Sequence, residues 1–281
     1  MFSSTRDSDV VRDRRIPTLL LVSIALATAV LLFGALGPLV VAHDPYQQDL
    51  AERLSPPTHR HWLGTDELGR DVFARLAAGA RVVFQLIPWT ILIPVAGGLS
   101  LGLAAGLLER AGHLFNLLLD ILLPLPELLM ALLLASLLGP SLEHALLALS
   151  IVLTPLTAKL VRAEVLRLKH SAFVLRLRAS GIGPIQLTVR HFIPHLLGSL
   201  LVQSAVNLGM GITATAGLGY LGLGAQPPAA EWGLTLNSAM PLLESHGHIA
   251  FASAFLIVMA SLSFNLLGEG LQEVFLRSSE H

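Results

Sequence analysis

Apolar positions in this chain fall in long unbroken runs rather than in the alternation of a half-buried strand. Residues 16–42 and residues 82–108 each form a stretch of 27 without a formal charge. A helix needs about 20 mostly apolar residues to cross roughly 30 Å of hydrocarbon, so each run predicts a membrane span. Residues 114–138 are apolar apart from Asn116, Asp120 and Glu127. Residues 142–161 follow, with Glu143 and Lys159 near the ends, where charged tips can reach the interface. The 39 residues from 192 to 230 also lack a formal charge, too many for one span, and Gly217, Gly219, Gly222 and Gly224 interrupt them. One helix over 195–216 followed by a glycine-rich turn accounts for that stretch. A last span is predicted over 249–269. The expectation is an all-α polytopic membrane protein with six transmembrane helices.

Composition agrees and removes alternatives. Of 281 residues, 53% are hydrophobic and 13% charged, about half the charged share of a soluble chain, and the mean hydropathy is +0.70. A soluble enzyme, a disordered regulator and a nucleic-acid binder are disfavoured. Without cysteine there is no disulfide, thiolate zinc site or cysteine nucleophile. Only two lysines occur, Lys159 after Ala158 and Lys169 after Leu168, so no Gly-Lys-Ser/Thr phosphate loop is present. The first span is too long for a cleaved signal segment, whose apolar region runs about 7–15 residues, and reads as an uncleaved anchor.

Short-loop arginines and lysines set orientation. Arg6, Arg12, Arg14 and Arg15 precede the first span, Arg110 follows the second, seven basic residues lie between 159 and 190, and Arg277 follows the sixth. These are 13 of the 18 basic residues, all on one side. Both termini are therefore expected in the cytoplasm. The opposite side holds Arg53, Arg60, Arg70, Arg75 and Arg81 among six acidic residues.

Residues 162–194 make the longest cytoplasmic stretch. Phe173, Val174 and Leu177 are interleaved with Arg176 and Arg178, which suits a short helix along the membrane face. Gly181 can end that helix in the left-handed conformation, Pro184 can open another turn, and Pro194 marks entry to span five. Charge alone is satisfied by anionic lipid headgroups; the helix–Gly–helix–Pro punctuation equally suits docking of a soluble partner.

Gly181, nine intervening residues and then His191-Phe192-Ile193-Pro194 resemble the EAA loop of ABC importer permeases, with Leu175, Arg176 and Leu177 standing where the E-A-A triplet falls. HWLGTDELGRD at 61–71, with Gly64, Thr65, Asp66, Gly69, Arg70 and Asp71, is similar to the segment after the first span in the C-type permeases of dipeptide, oligopeptide and nickel importers. AKLVRAEVL at 158–166, Asp120 with Pro126, and LGYLGLGAQPPAAEWG at 218–233, with Gly222, Gly224, Glu231, Trp232 and Gly233, resemble the same family. The likeness covers about residues 43–271. It implies a bacterial inner-membrane subunit without catalytic residues or a cofactor of its own. The implied partners are a homologous second permease, two ATPase subunits carrying ATP and magnesium, an extracytoplasmic substrate-binding protein and the lipid bilayer. It also implies a coupling helix at about 171–181 and an outer gate at the glycine-rich 217–224. Residues 1–77 then form the N-terminal region with the first helix, 78–275 the five-helix core, and 276–281 a tail.

Several polar residues are candidates for the pathway. Asp120 and Glu127 lie seven apart on one helix face, Gln203 and Asn207 share a face four apart, and Asn265 sits on span six; helix–helix packing is the plainer reading for the amides. Gly98-Leu99-Ser100-Leu101-Gly102 satisfies the G-x-S-x-G nucleophile pattern but lies mid-span, where small residues serve helix packing. A rhomboid-type serine protease using Ser100 and a secondary transporter working without an ATPase are the alternatives carried. Among eleven histidines, His59, His61, His246 and His248 lie outside the spans, and none has a defined metal-ligand spacing. Solvated loop histidines are expected, with no resident metal.

Overall fold

The computed structural model describes residues 17–40, 43–122 and 124–279. The orientation-setting Arg6, Arg12, Arg14 and Arg15 lie outside these residues, as do the side chains of Arg110, Asp120 and Arg277. Among the described residues, the regular structure is helical apart from one isolated bridge between Thr65 and Asp71. In chain order the helices are α1 (Thr18–Val40), α2 (Val72–Gly79), α3 (Arg81–Ile87), α4 (Ile93–Leu107), α5 (Glu109–Leu122), α6 (Glu127–Leu138), α7 (Leu142–Lys169), α8 (Ala172–Ala179), α9 (Pro184–Leu187), α10 (Ile193–Tyr220), α11 (Trp232–Ala239) and α12 (Leu243–Ser279).

Among the described residues, five segments are long and apolar enough to cross a membrane: Thr18–Gly37, Val72–Leu107, Leu142–Lys169, Pro184–Tyr220 and Trp232–Phe275. The expected third span is the exception. Residues 114–138 do not form one helix, because α5 stops at Leu122 and α6 starts at Glu127. Pro124 and Pro126 stand between them; proline has no N–H for the helical ladder and pushes the residue before it, here Leu125, out of the α region. At 1.5 Å per residue the 12 residues of α6 reach only about 18 Å. The stretch from α5 to α6 is thus a broken element, not a continuous span.

Proline also explains two matching irregularities. A π-turn at Pro88–Leu92 leads into α4, and another at Thr188–Phe192 leads into α10. In each case an Ile-Pro pair follows, Ile93-Pro94 and Ile193-Pro194. The proline cannot bond the carbonyl four residues back, so the preceding isoleucine N–H reaches five back instead, to Pro88 O and Thr188 O.

Close helix contacts rest on small residues, since lipid gives apolar side chains little reason to leave it. Gly98, Gly102 and Gly106 of α4 lie directly against Thr157, Ala158, Val161 and Val165 of α7. Helix α10 packs on α7 and α12, and α1 packs on α2 and α12. One core cluster joins α1, α2, α3, α10, α11 and α12 around Leu76, Trp232 and Phe264. A second ties α7, α8, α9 and the start of α10 together through Val165, Val174, Leu187 and Phe192.

Candidate functional site

The two signature blocks meet at one end of the molecule. Buried Arg75 of α2 donates from Nη2 to Ala229 O at 2.9 Å and from Nη1 to Pro228 O and Pro45 O at 3.4 and 3.3 Å. Its Nε lies 3.6 Å from Asp66 Oδ2. Trp232 Nε1 donates to Leu76 O at 2.8 Å. Arg75, just beyond the first block, therefore links Asp66 of that block to backbone oxygens of the second, and Trp232 of the second holds the α2 backbone at Leu76.

Within the first block, Asp66 accepts from the Leu68 and Arg70 N–H groups and takes Arg70 Nε at 2.7 Å. Thr65 Oγ1 donates to Glu52 O and accepts from Ser55 N. Gly64 and Gly69 have φ near +70°, where L side chains are strained. Asp71 caps α2, accepting from Ala74 N at 2.7 Å.

In the second block, Gly222 turns the chain at the end of α10 with φ 77°, and Gly224 packs against the backbone of Gly219. Glu231 caps α11, accepting from Gly233 N and Leu234 N, both at 2.8 Å. Burial pushes the Glu231 carboxyl up to about 7, opposed by those two N–H bonds. Gly233 sits against Ala216 O, and a Cβ on Gly219 would lie 2.1 Å from Glu231 Oε2. Of the two gate candidates, Gly219 is approached by this carboxylate and Gly217 by the Leu128 side chain.

At the opposite end of α10 stands α8. Ser171 caps it through the Val174 N–H, and Gly181, at φ 84°, closes it, with its N–H on Arg178 O and the Ile182 N–H on Leu177 O. Val174 is buried and Leu177 half-buried in the protein's own core, so these two anchor the helix. Phe173, Leu175, Arg176 and Arg178 point outward, as does Ile185 just beyond. The Phe173 ring meets the His191 ring edge-on at 5.5 Å. Pro194 is exposed in the first turn of α10.

Two cavities flank α10. One, about 810 Å³, lies toward the α8 end and is lined by Glu164, Arg167, His195, Gln203 and Gln272 among others. The second, about 260 Å³, is mostly apolar and includes Glu127, Met210, Thr213, Ser261 and Asn265. At Gly209, between these two sets of α10 residues, the Asn265 amide lies where a Cβ would be 2.7 Å from Nδ2. Asn265 Nδ2 donates to Ser261 O, and Ser261 Oγ donates to Gly209 O. Gln203 donates to Asn207 Oδ1 at 2.8 Å, while Asn207 is fully buried and donates to Thr157 Oγ1 at 3.3 Å. Gln203, Glu127 and Asn265 thus line cavities, and Asn207 joins α10 to α7.

Residues 98–280 match the family described as binding-protein-dependent transport system inner membrane component. The chain belongs to that family. It is 34% identical over 256 residues to the dipeptide transport system permease protein DppC of Alkalihalophilus pseudofirmus, covering 91% of this chain and 84% of that protein. It is 35% identical over 218 residues to the glutathione transport system permease protein GsiD of Pectobacterium atrosepticum, covering 77% and 72%. It is 32% identical over 232 residues to the nickel transport system permease protein NikC of Escherichia coli, covering 82% and 84%. The protein is accordingly a multi-pass inner-membrane permease subunit.

Two features of this permease differ from what the sequence suggested. His61 is not a solvated loop histidine: it is buried, with Nδ1 2.7 Å from Asp71 Oδ2 and Nε2 2.8 Å from Glu52 Oε2. His248 is also engaged, through Nε2 to Leu63 O at 3.1 Å. By sequence Arg75 is only a loop charge, yet it joins the two signature blocks; its place one turn into an apolar run is the available signal. Ser100 Oγ donates back to Ala96 O at 2.7 Å on the exposed side of α4, and Gly98 and Gly102 are spent on packing against α7.

Proposed function

We propose that this permease is one membrane half of an ATP-driven importer of di- or oligopeptides or of nickel chelates. It pairs with a homologous permease, two ATPase subunits dock on α8, and an extracytoplasmic binding protein delivers cargo at the α2–α11 end. ATP and magnesium belong to the ATPases, and this chain supplies no catalytic residue or cofactor. Both termini face the cytoplasm, with α5 and α6 together making a broken third crossing of six. The named relatives support the cargo classes. Glu127 in the smaller cavity suits a cargo bearing positive charge, whether a peptide ammonium or a metal.

The observation that carries the reading is the build of α8. Its outward face offers Phe173, Leu175, Arg176 and Arg178 to a partner, while Val174 is locked into a cluster shared with α7 and α10. A push on α8 is therefore carried into the helices that border both cavities. The alternation between inward-open and outward-open states follows from that mechanical link.

The test is ATP-dependent uptake by the complete complex in proteoliposomes. Arg176→Glu with Arg178→Glu is expected to lower uptake and ATPase retention together by tenfold or more. Normal complex yield and normal uptake in that double variant would remove α8 from the docking role. Uptake by this chain alone, without ATPase, would establish the secondary transporter instead.

A further inference from the structure

Where α1 ends, the loop at 43–71 places three metal-ligating groups from distant positions around one point. His43 Nδ1 lies 3.6 Å and His61 Nδ1 2.7 Å from the same oxygen, Asp71 Oδ2, and the three ligand atoms all fall within 4.8 Å of one another. We propose that His43, His61 and Asp71 form a binding site for a single divalent transition metal of the zinc class, which clamps the end of α1 and the loop to the start of α2.

The chemistry of the donors favours this assignment. Two imidazoles and one carboxylate form a set suited to Zn²⁺, whose ligands sit at about 2.0–2.2 Å and hence about 3.3 Å apart in a tetrahedron. The observed separations bracket that value, so ligation needs side-chain shifts of only tenths of an ångström to about one ångström.

Each ligand is also held by a second group. Asp71 gives Oδ1 to the Ala74 N–H at 2.7 Å, which leaves Oδ2 aimed at the histidines. His61 turns Nε2 to Glu52 Oε2 at 2.8 Å, and Glu52 is braced by Arg60 Nη1 at 2.7 Å. A carboxylate on the far nitrogen of a ligating histidine fixes its ring and raises its basicity. The rings of His43 and His61 lie 4.7 Å apart at a shallow angle of 32°.

The charges are partly offset, since Glu52 is itself paired with Arg60. The +2 of the ion meets Asp71 directly and Glu52 one bond further out. The ion takes the place of the hydrogen bond between His61 Nδ1 and Asp71 Oδ2. The remaining coordination position opens on a pocket of about 200 Å³ lined by His59, Arg60, Trp62 and Phe73 along with His43 and Asp71. That pocket can admit a water or a side chain from another protein as fourth ligand.

No spacing motif reveals the set, because the ligands are 18 and 10 residues apart and the fold assembles them. The inference stands apart from the transport reading, since it concerns a resident ion rather than cargo.

The test uses the full-length protein, purified by a histidine-free tag into nanodiscs, stripped with chelator and titrated with Zn²⁺. One equivalent is expected to bind, with X-ray absorption reporting nitrogen and oxygen ligands at about 2.0–2.1 Å. His43→Phe, which keeps a ring beside His61, is expected to weaken binding at least tenfold while leaving metal-free melting unchanged. Glu52→Gln is expected to weaken it about 10–100-fold, and His246→Ala to leave it unchanged. Substoichiometric zinc in the parent protein would overturn the proposal. So would binding that follows His246 rather than His43. If His43→Phe fails to fold, the Glu52→Gln titration decides, and unchanged affinity there counts against the site.

Discussion

Replacing Gly219 by alanine puts a methyl group where Glu231 keeps its carboxylate. The added Cβ would stand 2.1 Å from Oε2, 3.0 Å from Cδ and 3.3 Å from the Leu234 nitrogen. Since Gly219 belongs to α10 and Glu231 opens α11, neither backbone can retreat without moving a helix, and the carboxylate has to leave. Two N–H bonds of 2.8 Å go with it. A hydrogen bond to a charged group contributes about 1.5–3 kcal/mol, and removal of an N-cap costs about 0.5–2 kcal/mol. These describe the same loss, so we expect Gly219→Ala to destabilise the protein by about 3 kcal/mol.

A double-mutant cycle isolates the cause. Glu231→Ala alone is expected to cost about 2–3 kcal/mol through the same lost cap. In that background the carboxylate is gone and the Leu234 nitrogen at 3.3 Å is the next neighbour, while alanine favours a helix interior by up to about 1 kcal/mol. Gly219→Ala should then cost under about 0.5 kcal/mol. Equilibrium denaturant unfolding of the four full-length proteins in detergent measures the cycle. Additivity within about 0.5 kcal/mol would refute the reasoning, because it would mean that the two residues do not compete for one space.

The same carboxyl predicts a pH dependence. With its folded value raised to about 7 from 4.5, the folded state holds more protons than the unfolded one between those values. Stability is then fully present below pH 4.5 and declines by about 3 kcal/mol as pH rises to 7, a slope Glu231→Ala should remove in pH-resolved melting. Trp232→Phe takes away the 2.8 Å bond to Leu76 O, which keeps the Ala80 N–H at 3.1 Å; denaturant unfolding should show a loss of about 0.5–1.5 kcal/mol, that of one hydrogen bond. Ser100→Ala is expected to leave uptake within twofold of the parent in proteoliposomes, because its hydroxyl bonds only its own helix; abolished activity would revive a nucleophilic role.

Runs of uncharged residues made most helices legible, because lipid imposes both their length and their composition. The expected spans at 82–108, 142–161, 195–216 and 249–269 largely coincide with the longer helical segments now seen. The third misled because hydropathy averages over Pro124 and Pro126, whereas backbone geometry does not. Helix α8 was legible from Gly181, but the inward turn of Val174 and Leu177 was not; a stretch of eight residues does not say which face its neighbours cover. Trp232 was recognisable in its signature block and its purpose was not, while Arg75 lies outside both blocks; each reaches across more than 150 positions to a main-chain oxygen. His61 looked like a solvated histidine for the same reason: its partners, Glu52 and Asp71, are brought in by turns at Gly64 and Gly69.

Arg75 and Trp232 grip carbonyl oxygens, which every residue type possesses. The junction is therefore blind to the side chains at Pro45, Leu76, Pro228 and Ala229, provided the chain keeps its course there. A change at either gripping residue, by contrast, has no single position across the junction whose mutation could restore the fit, since Arg75's one carboxylate neighbour, Asp66, lies on its own side. Across relatives this junction should leave an evolutionary trace of solitary fixed positions rather than of pairs that change together. Methods that infer contacts from paired substitutions will underestimate how firmly these two ends of the chain are joined.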